Sequence, residues 1–279
     1  MTNSLISAPD IYDSSRRGNA IFEELRGVYQ YRDLILQLVR RDIVARYKRS
    51  ALGVAWTMLQ PLGMMIVLTL VFSNLFHRVE GYSAYLLSGL ISWTFFAQTT
   101  NAAIHQMVWG AALMNRIYMP RTSFSISAVG TGLVNLAISL IPLVVVILGS
   151  GIALTWNVFF LPVSMLLLAA FALGVGLLFS TLAVSFPDVS EMYQIILTAW
   201  MYFTPIFYPE DVITDATMRA WVFGLNPMYY LVKLFRAPIY DGQLPDAHTL
   251  LVAAAISLTT LTVGWVFFCS RADRFAYKA

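Results

Sequence analysis

Three groups of side chains are of types and at spacings that could do chemistry. In QTTNAAIHQ, Gln98, Asn101 and His105 recur at three- and four-residue spacing and so share one helical face. An imidazole there could relay a proton or take a ligand; the alternative is a polar stripe satisfied by a neighbouring helix. In FPDVSEM, Asp188 and Glu191 are two carboxylates beside Pro187, a set that equally reads as the start of a helix. The third group is a run of five cations, Arg40, Arg41, Arg46, Lys48 and Arg49, immediately before a long apolar stretch. None of these supplies a nucleophile with its base, a metal cluster or a carboxylate pair poised for acid–base work. No G-x-x-x-x-G-K-[ST] loop occurs, so the chain has no phosphate cradle of its own for hydrolysing ATP. The single cysteine, Cys269, leaves no intrachain disulfide and reads as a small apolar residue.

The elements that must position these groups are set by hydropathy. A hydrophobic fraction of 58% with 12% charged residues identifies an integral membrane protein. Five runs are long and apolar enough to cross roughly 30 Å of hydrocarbon: 51–76, 83–108, 122–149, 157–184 and 248–269. A sixth, 189–208, is shorter and aromatic. With six spans and both ends inside, 14 Lys and Arg fall on the cytoplasmic side and 4 outside, as the positive-inside rule requires. Net charge of +3 therefore speaks for topology and anionic lipid rather than nucleic acid. The polar first residues lack the apolar core and cleavage site of a signal peptide, and the N-terminus is expected to be retained. Ionisable residues for a coupling ion at mid-membrane, usual in secondary transporters, are missing from the spans.

Two segments are neither span nor simple loop. Val28, Tyr31, Leu34, Ile35, Leu38, Val39 and Ile43 share one face, with Gln30, Asp33, Gln37, Arg40 and Arg41 opposite. This predicts an amphipathic helix on the cytoplasmic membrane surface, acting as an anchor to anionic lipid or as a platform for a partner. Segment 212–238 has two apolar stretches too short to span, broken at Gly224 and Asn226-Pro227, the pattern of external helices that enter the membrane and turn back. Tyr193, Trp200 and Phe207 are seven apart and fall roughly on one face of the fifth span, with Tyr202 and Phe203 beside them. They read either as a stacking surface along which a glycan could slide or as an interfacial aromatic belt. Trp56 and Phe72 on the first span are weaker members of the same set, since aromatic residues on a span commonly pack.

The runs DLILQLVRRDIVARYKRSALGVAWTMLQPLGMMIVLTLVF, GLISWTFF, NRIYMPR, FTPIFYPEDVI and LNPMYYLVKLFR resemble, in order and spacing, the permease subunit of type-2 ATP-binding-cassette exporters. The resemblance is greatest to the branch exporting O-antigen, capsule, teichoic acid or galactan, and it covers residues 28 to 275. Its most specific piece is L-G-x-x-W-x-x-x-x-P at Leu52, Gly53, Trp56 and Pro61. The resemblance implies an all-α membrane fold: a polar tail (1–27), an interface helix (28–48), a transmembrane domain (51–269) and a cytoplasmic tail (270–279). It implies a homodimer with two copies of a separate ATPase subunit that holds ATP and Mg, no cofactor on this chain, and a lipid-linked polysaccharide as cargo. The ATPase would contact Arg40, Arg41, Arg46, Lys48 and Arg49, a coupling helix containing Asn115, Arg116, Tyr118, Pro120 and Arg121, and a second turn bearing Asp188 and Glu191. Spans one and five would line the conduit, and 212–238 would be its external gate. Phe186-Pro187-Asp188 departs from the pattern, because such families often carry a basic residue in that turn. Export of a small lipid or drug, a membrane transferase using His105, Asp188 or Glu191, and a non-catalytic scaffold are the competing readings.

Overall fold

The computed structural model describes residues 20–48, 52–109 and 120–271, and within them every regular element is helical. In chain order these are α1 (Ala20–Gln30), α2 (Arg32–Tyr47), α3 (Ala55–Phe72), α4 (Tyr82–Trp109), α5 (Thr122–Gly149), α6 (Leu161–Ser185), α7 (Val189–Phe203), α8 (Ala216–Gly224), α9 (Pro227–Ile239) and α10 (Ala247–Arg271). Short 3-10 turns precede α6 (Trp156–Phe160) and α8 (Glu210–Val212). Among the described residues, four segments are both long and apolar enough to cross a membrane: α3, α5, α6 with its preceding turn, and α10.

The other two expected spans differ for identifiable reasons. Helix α4 has 28 residues, about 42 Å at 1.5 Å per residue, which is ample length. Its hydropathy is lowered chiefly by Gln98, Asn101, His105, Gln106 and its tyrosines, while its hydroxyls fold back on their own helix, Ser92 Oγ donating to the Ser88 and Gly89 carbonyls and Thr100 Oγ1 to that of Phe96. Helix α7 stops at Phe203 because Pro205 biases the residue before it to extended backbone, and Thr204 has φ −97°, ψ 132°. Its 15 residues reach only about 22 Å.

The core lies where α4, α5, α6, α9 and α10 converge. Helices α6 and α10 cross at backbone contact: a Cβ on Gly174 would lie 2.5 Å from the Thr260 carbonyl oxygen, and one on Gly264 would collide with Gly174 itself. Small residues at a crossing let apolar helices gain van der Waals contact where lipid offers no hydrophobic drive. By contrast α3 buries only Pro61 and Met65 fully, and α7 only Tyr193 and Leu197.

The amphipathic segment is two helices, not one. Helix α1 begins at Ala20, earlier than the apolar pattern indicates, and Tyr31 (φ −97°, ψ 17°) breaks it from α2. The apolar side of α2 also packs on protein: Ile35 and Leu38 are buried, with Leu38 against Phe124 and Val39 against Gly130 of α5. Leu36 and Val44 remain exposed on its outer side.

Candidate functional site

The chain folds back and forth so that α2, the C-terminal ends of α4, α6 and α10 and the N-terminal ends of α3, α5 and α7 share one end of the molecule. At this end Arg40, Arg41, Arg46 and Lys48 are all exposed. Arg41 is tied at 2.8 Å to Asp42, which also accepts from Gln106 Nε2 at 2.8 Å. Gln106 Oε1 in turn accepts from Ser127 Oγ at 3.3 Å, so one polar chain joins α2 to α4 and α5. Asp42, hidden among cations in the sequence, thus adds a polar tie to the apolar contacts that hold the basic ridge on the bundle. Arg49, Asn115, Arg116 and Tyr118 lie outside the described residues.

Pro120 and Arg121 stand at the start of α5, and α1 rests on them. A Cβ on Gly27 would meet the Pro120 ring at 2.5 Å, so α1 needs glycine at that contact. Thr122 Oγ1 donates to Glu24 Oε2 at 2.8 Å. Burial pushes the Glu24 carboxyl above its ordinary 4.5, against the opposing pull of the Thr122 hydroxyl and the Arg121 charge. Asp188 and Glu191 are exposed at the α6–α7 turn, and the Asp188 side chain makes no capping hydrogen bond.

The polar stripe on α4 meets neighbouring helices as the packing alternative expects: Asn101 Oδ1 accepts from Gln194 Nε2 of α7 at 2.7 Å, and Gln98 reaches Gln60 of α3 at 3.4 Å. His105 is exposed. Between α2, α3, α4 and α5 a cleft of about 540 Å³ opens beside the basic ridge, with Trp56, Gln60, Gln98 and Arg46 at its edges.

The aromatic residues divide into two groups. Tyr193 is fully buried, donating to Thr100 Oγ1 at 2.7 Å and packing on Phe179 at 4.5 Å. Trp200 meets Trp93, Phe96 and Phe171 edge-on and donates its Nε1–H to Asn226 Oδ1 at 2.8 Å. The heptad-spaced face of α7 therefore points into the protomer. Tyr202 and Phe203 are each 61% exposed and Trp56 is 55% exposed, so of the aromatic residues expected in the conduit these are the rings open on the surface. Phe72 stacks on Phe76 within the bundle margin, and Phe207 is half-buried against Tyr202.

At the opposite end, α8 and α9 turn about Asn226, whose Oδ1 also caps α9 at the Met228 N–H (3.0 Å). Helix α9 buries Arg236 at 7% exposure. Its guanidinium donates to Ser88 Oγ and the Tyr85, Pro205 and Ile206 carbonyls at 3.3–3.4 Å and lies 3.6 Å over the Tyr85 ring. A Cβ on Gly89 would strike that guanidinium at 2.6 Å, so glycine provides its room. The sequence shows Arg236 only as one of few external cations; its burial follows from α9 packing between α4 and α6.

The profile of the ABC-2 type transporter family matches residues 33–240, spanning α2 through α9. The chain belongs to that family. Among curated relatives, the Myxococcus xanthus protein named O-antigen export system permease protein RfbA is 32% identical over 253 residues, covering 90% of this chain and 97% of its own length. The polysialic acid transport protein KpsM of Escherichia coli is 24% identical over 241 residues, covering 85% and 92%. The capsule polysaccharide export inner-membrane protein CtrC of Neisseria meningitidis serogroup B is 23% identical over 223 residues, covering 76% and 81%.

Proposed function

We propose that this chain is the membrane permease of an ATP-driven exporter that moves a lipid-linked polysaccharide across the cytoplasmic membrane. The observation that carries the reading is the near full-length match to permeases named for O-antigen, polysialic acid and capsule export. ATP and Mg belong to a separate ATPase subunit, since the chain has no nucleotide loop. In this reading α3, α4, α5, α6, α7 with its extended 204–208 leg, and α10 are six crossings, with both termini cytoplasmic. Helices α8 and α9 are re-entrant on the external side; α9, at 13 residues or about 20 Å, is too short to cross.

The chain works as a homodimer carrying two ATPase copies. What supports this is the uneven burial: α3 and α7 are the spans least covered by their own protomer. A second copy covering them places exposed Trp56, Tyr202 and Phe203 near the shared axis, where apolar ring faces let sugars slide without tight binding. The ATPase presses on the basic ridge of α2 (Arg40, Arg41, Arg46, Lys48), on the segment ending at Pro120 and Arg121, and on the Asp188–Glu191 turn. Guanidinium groups on that ridge suit bidentate pairing with acidic groups.

The test is ATP hydrolysis by the cognate ATPase in liposomes with this chain. An Arg40→Glu, Lys48→Glu double variant reverses two ridge charges that hold no bundle contact among those described. Hydrolysis dependent on the wild-type chain and lost in the variant is expected. Equal rates with both chains, or hydrolysis indifferent to the chain, would remove the docking role.

A further inference from the structure

The turn that opens α6 presents two rings to its surroundings. Trp156 is 86% exposed, the most open tryptophan among the described side chains, and Phe159 is 73% exposed. Both lie in the 3-10 turn Trp156–Phe160, where three residues per turn set positions i and i+3 in line, and the rings stack with centroids 5.8 Å apart at 22°. The line continues past the turn. Pro162, Val163 and Leu166 carry the exposed face down the first turns of α6, so an apolar strip runs from Trp156 onto the side of a helix long and apolar enough to cross a membrane. The turn is also fixed in place. Thr155 Oγ1 and Asn157 Nδ2 both donate to the Gly242 carbonyl, at 2.8 and 2.7 Å, in a loop that Gly242 bends at φ +66°, a conformation glycine adopts freely. The Gln243 N–H in turn donates to the Ala237 carbonyl at 3.0 Å, which ties the rings to the last turn of α9 and to the loop leading into α10.

We propose that Trp156 and Phe159 form an anchor set into the outer leaflet of the cytoplasmic membrane, at the boundary between headgroups and acyl chains, and that it fixes the height of the junction between α9 and α10. Lipid is the partner the strip fits. The exposed side of a spanning helix faces acyl chains, and the rings prolong that same side at the helix end, the level where tryptophan meets an apolar medium with its body and a wet one with its N–H. A sugar would need donors and acceptors among the rings, and the strip offers only the indole N–H; the side chains on either side of Trp156 donate to Gly242 instead. A second copy has broader uncovered surfaces on α3 and α7 than this single strip on a helix otherwise packed against its own protomer. The inference rests on the six-crossing topology and is independent of the cargo.

The experiment places the full chain with its ATPase in liposomes. In a Cys269→Ala background a nitroxide is attached at Phe159→Cys, Leu166→Cys or Thr214→Cys, the last an exposed position in the external segment before α8. Oxygen gathers among acyl chains and a nickel chelate stays in water, so their collision rates report depth. Nickel collisions at Phe159 and Leu166 are expected at least about tenfold below those at Thr214, as exclusion of water from the acyl region implies, with oxygen collisions high at both. In the native chain, phospholipid brominated near its headgroup should quench a share of tryptophan emission that Trp156→Phe removes, and phospholipid brominated at its chain ends should leave that share alone. This second measurement decides the matter even where a cysteine variant misfolds. Nickel access at Phe159 equal to that at Thr214, with Leu166 in oil, overturns the anchor, because the rings then stand in water. Shielding of Phe159 from both reagents overturns it too, because protein then covers the rings. Nickel access at Leu166 as well refutes the crossing of α6 itself, and the topology falls together with the anchor.

Discussion

Arg236→Lys keeps the charge of α9 and removes the fork. The wild-type guanidinium bridges Ser88 on α4 and two carbonyls of the 205–206 leg, and it covers the Tyr85 ring. An ammonium at the end of a thinner stem reaches one or two of those acceptors, because its donors do not diverge in a plane. Hydrogen bonds from a charged donor contribute about 1.5–3 kcal/mol each, and at 3.3–3.4 Å the lower figure applies. Losing two of the four sums to about 3 kcal/mol, with the ammonium keeping the cation–π contact over Tyr85. For a chain of this size that is a fall in melting temperature of about 6–12 °C. The assay is thermal unfolding of the purified protein in one detergent, followed by tryptophan emission, with Arg219→Lys as the control, since Arg219 donates to the local Ile213 carbonyl. An Arg236→Lys variant melting at the wild-type temperature would refute the view that the forked contact joins α9 to α4 and the leg beyond α7.

Other outcomes follow from the same structure. Gly174→Leu should abolish recovery of folded chain from membranes, because the side chain must displace the Thr260 backbone; size-exclusion profiles would show it, and a normal profile would mean that α6 and α10 do not meet there. Glu24 has a raised folded-state value, so α1 docking is strongest below the ordinary 4.5 and weakens as pH rises through the folded value; Glu24→Gln should flatten this. Hydrogen-exchange protection of α1 at about pH 4, below that range, and at successively higher pH measures it, with a loss of protection on raising the pH expected in wild type alone. Trp200→Phe should lower stability by about 1 kcal/mol through the lost Asn226 hydrogen bond while leaving glycan export intact; a collapse of export would return Trp200 to the conduit wall.

The sequence made α5 legible to the residue, 122–149, because an uninterrupted apolar run has only one solution in lipid. It was less informative wherever a pattern served two partners. The face carrying Ile35 and Leu38 reads as lipid-seeking, yet α5 takes it; periodicity reports which residues avoid water, not what they avoid it with. The seven-residue spacing marked one side of α7 for Tyr193 and Trp200 but not for Phe207, which lies past the end of the helix at Phe203; whether that side looked inward was left open, and the 0% exposure of Tyr193 decides it for that residue. Asp42, Glu24 and Arg236 could not be singled out at all, since each draws its meaning from a contact more than 60 residues away.

The glycine crossing of α6 with α10 has a bearing on how the protein is made. The tightest seam among the described helices joins a helix to another that leaves the ribosome about 60 residues after it. Until α10 arrives, the Gly174 face of α6 lacks the helix that packs on it, and α3, with few contacts of its own, waits in the bilayer for the helices that follow it. Among the described helices synthesis therefore runs opposite to packing: sparsely covered α3 emerges before the helices that pack on it, and the α6–α10 crossing closes only once α10 has emerged. A nascent chain stalled before residue 247 should leave the Gly174 face of α6 uncovered and open to quality-control proteases, and one that includes α10 should not.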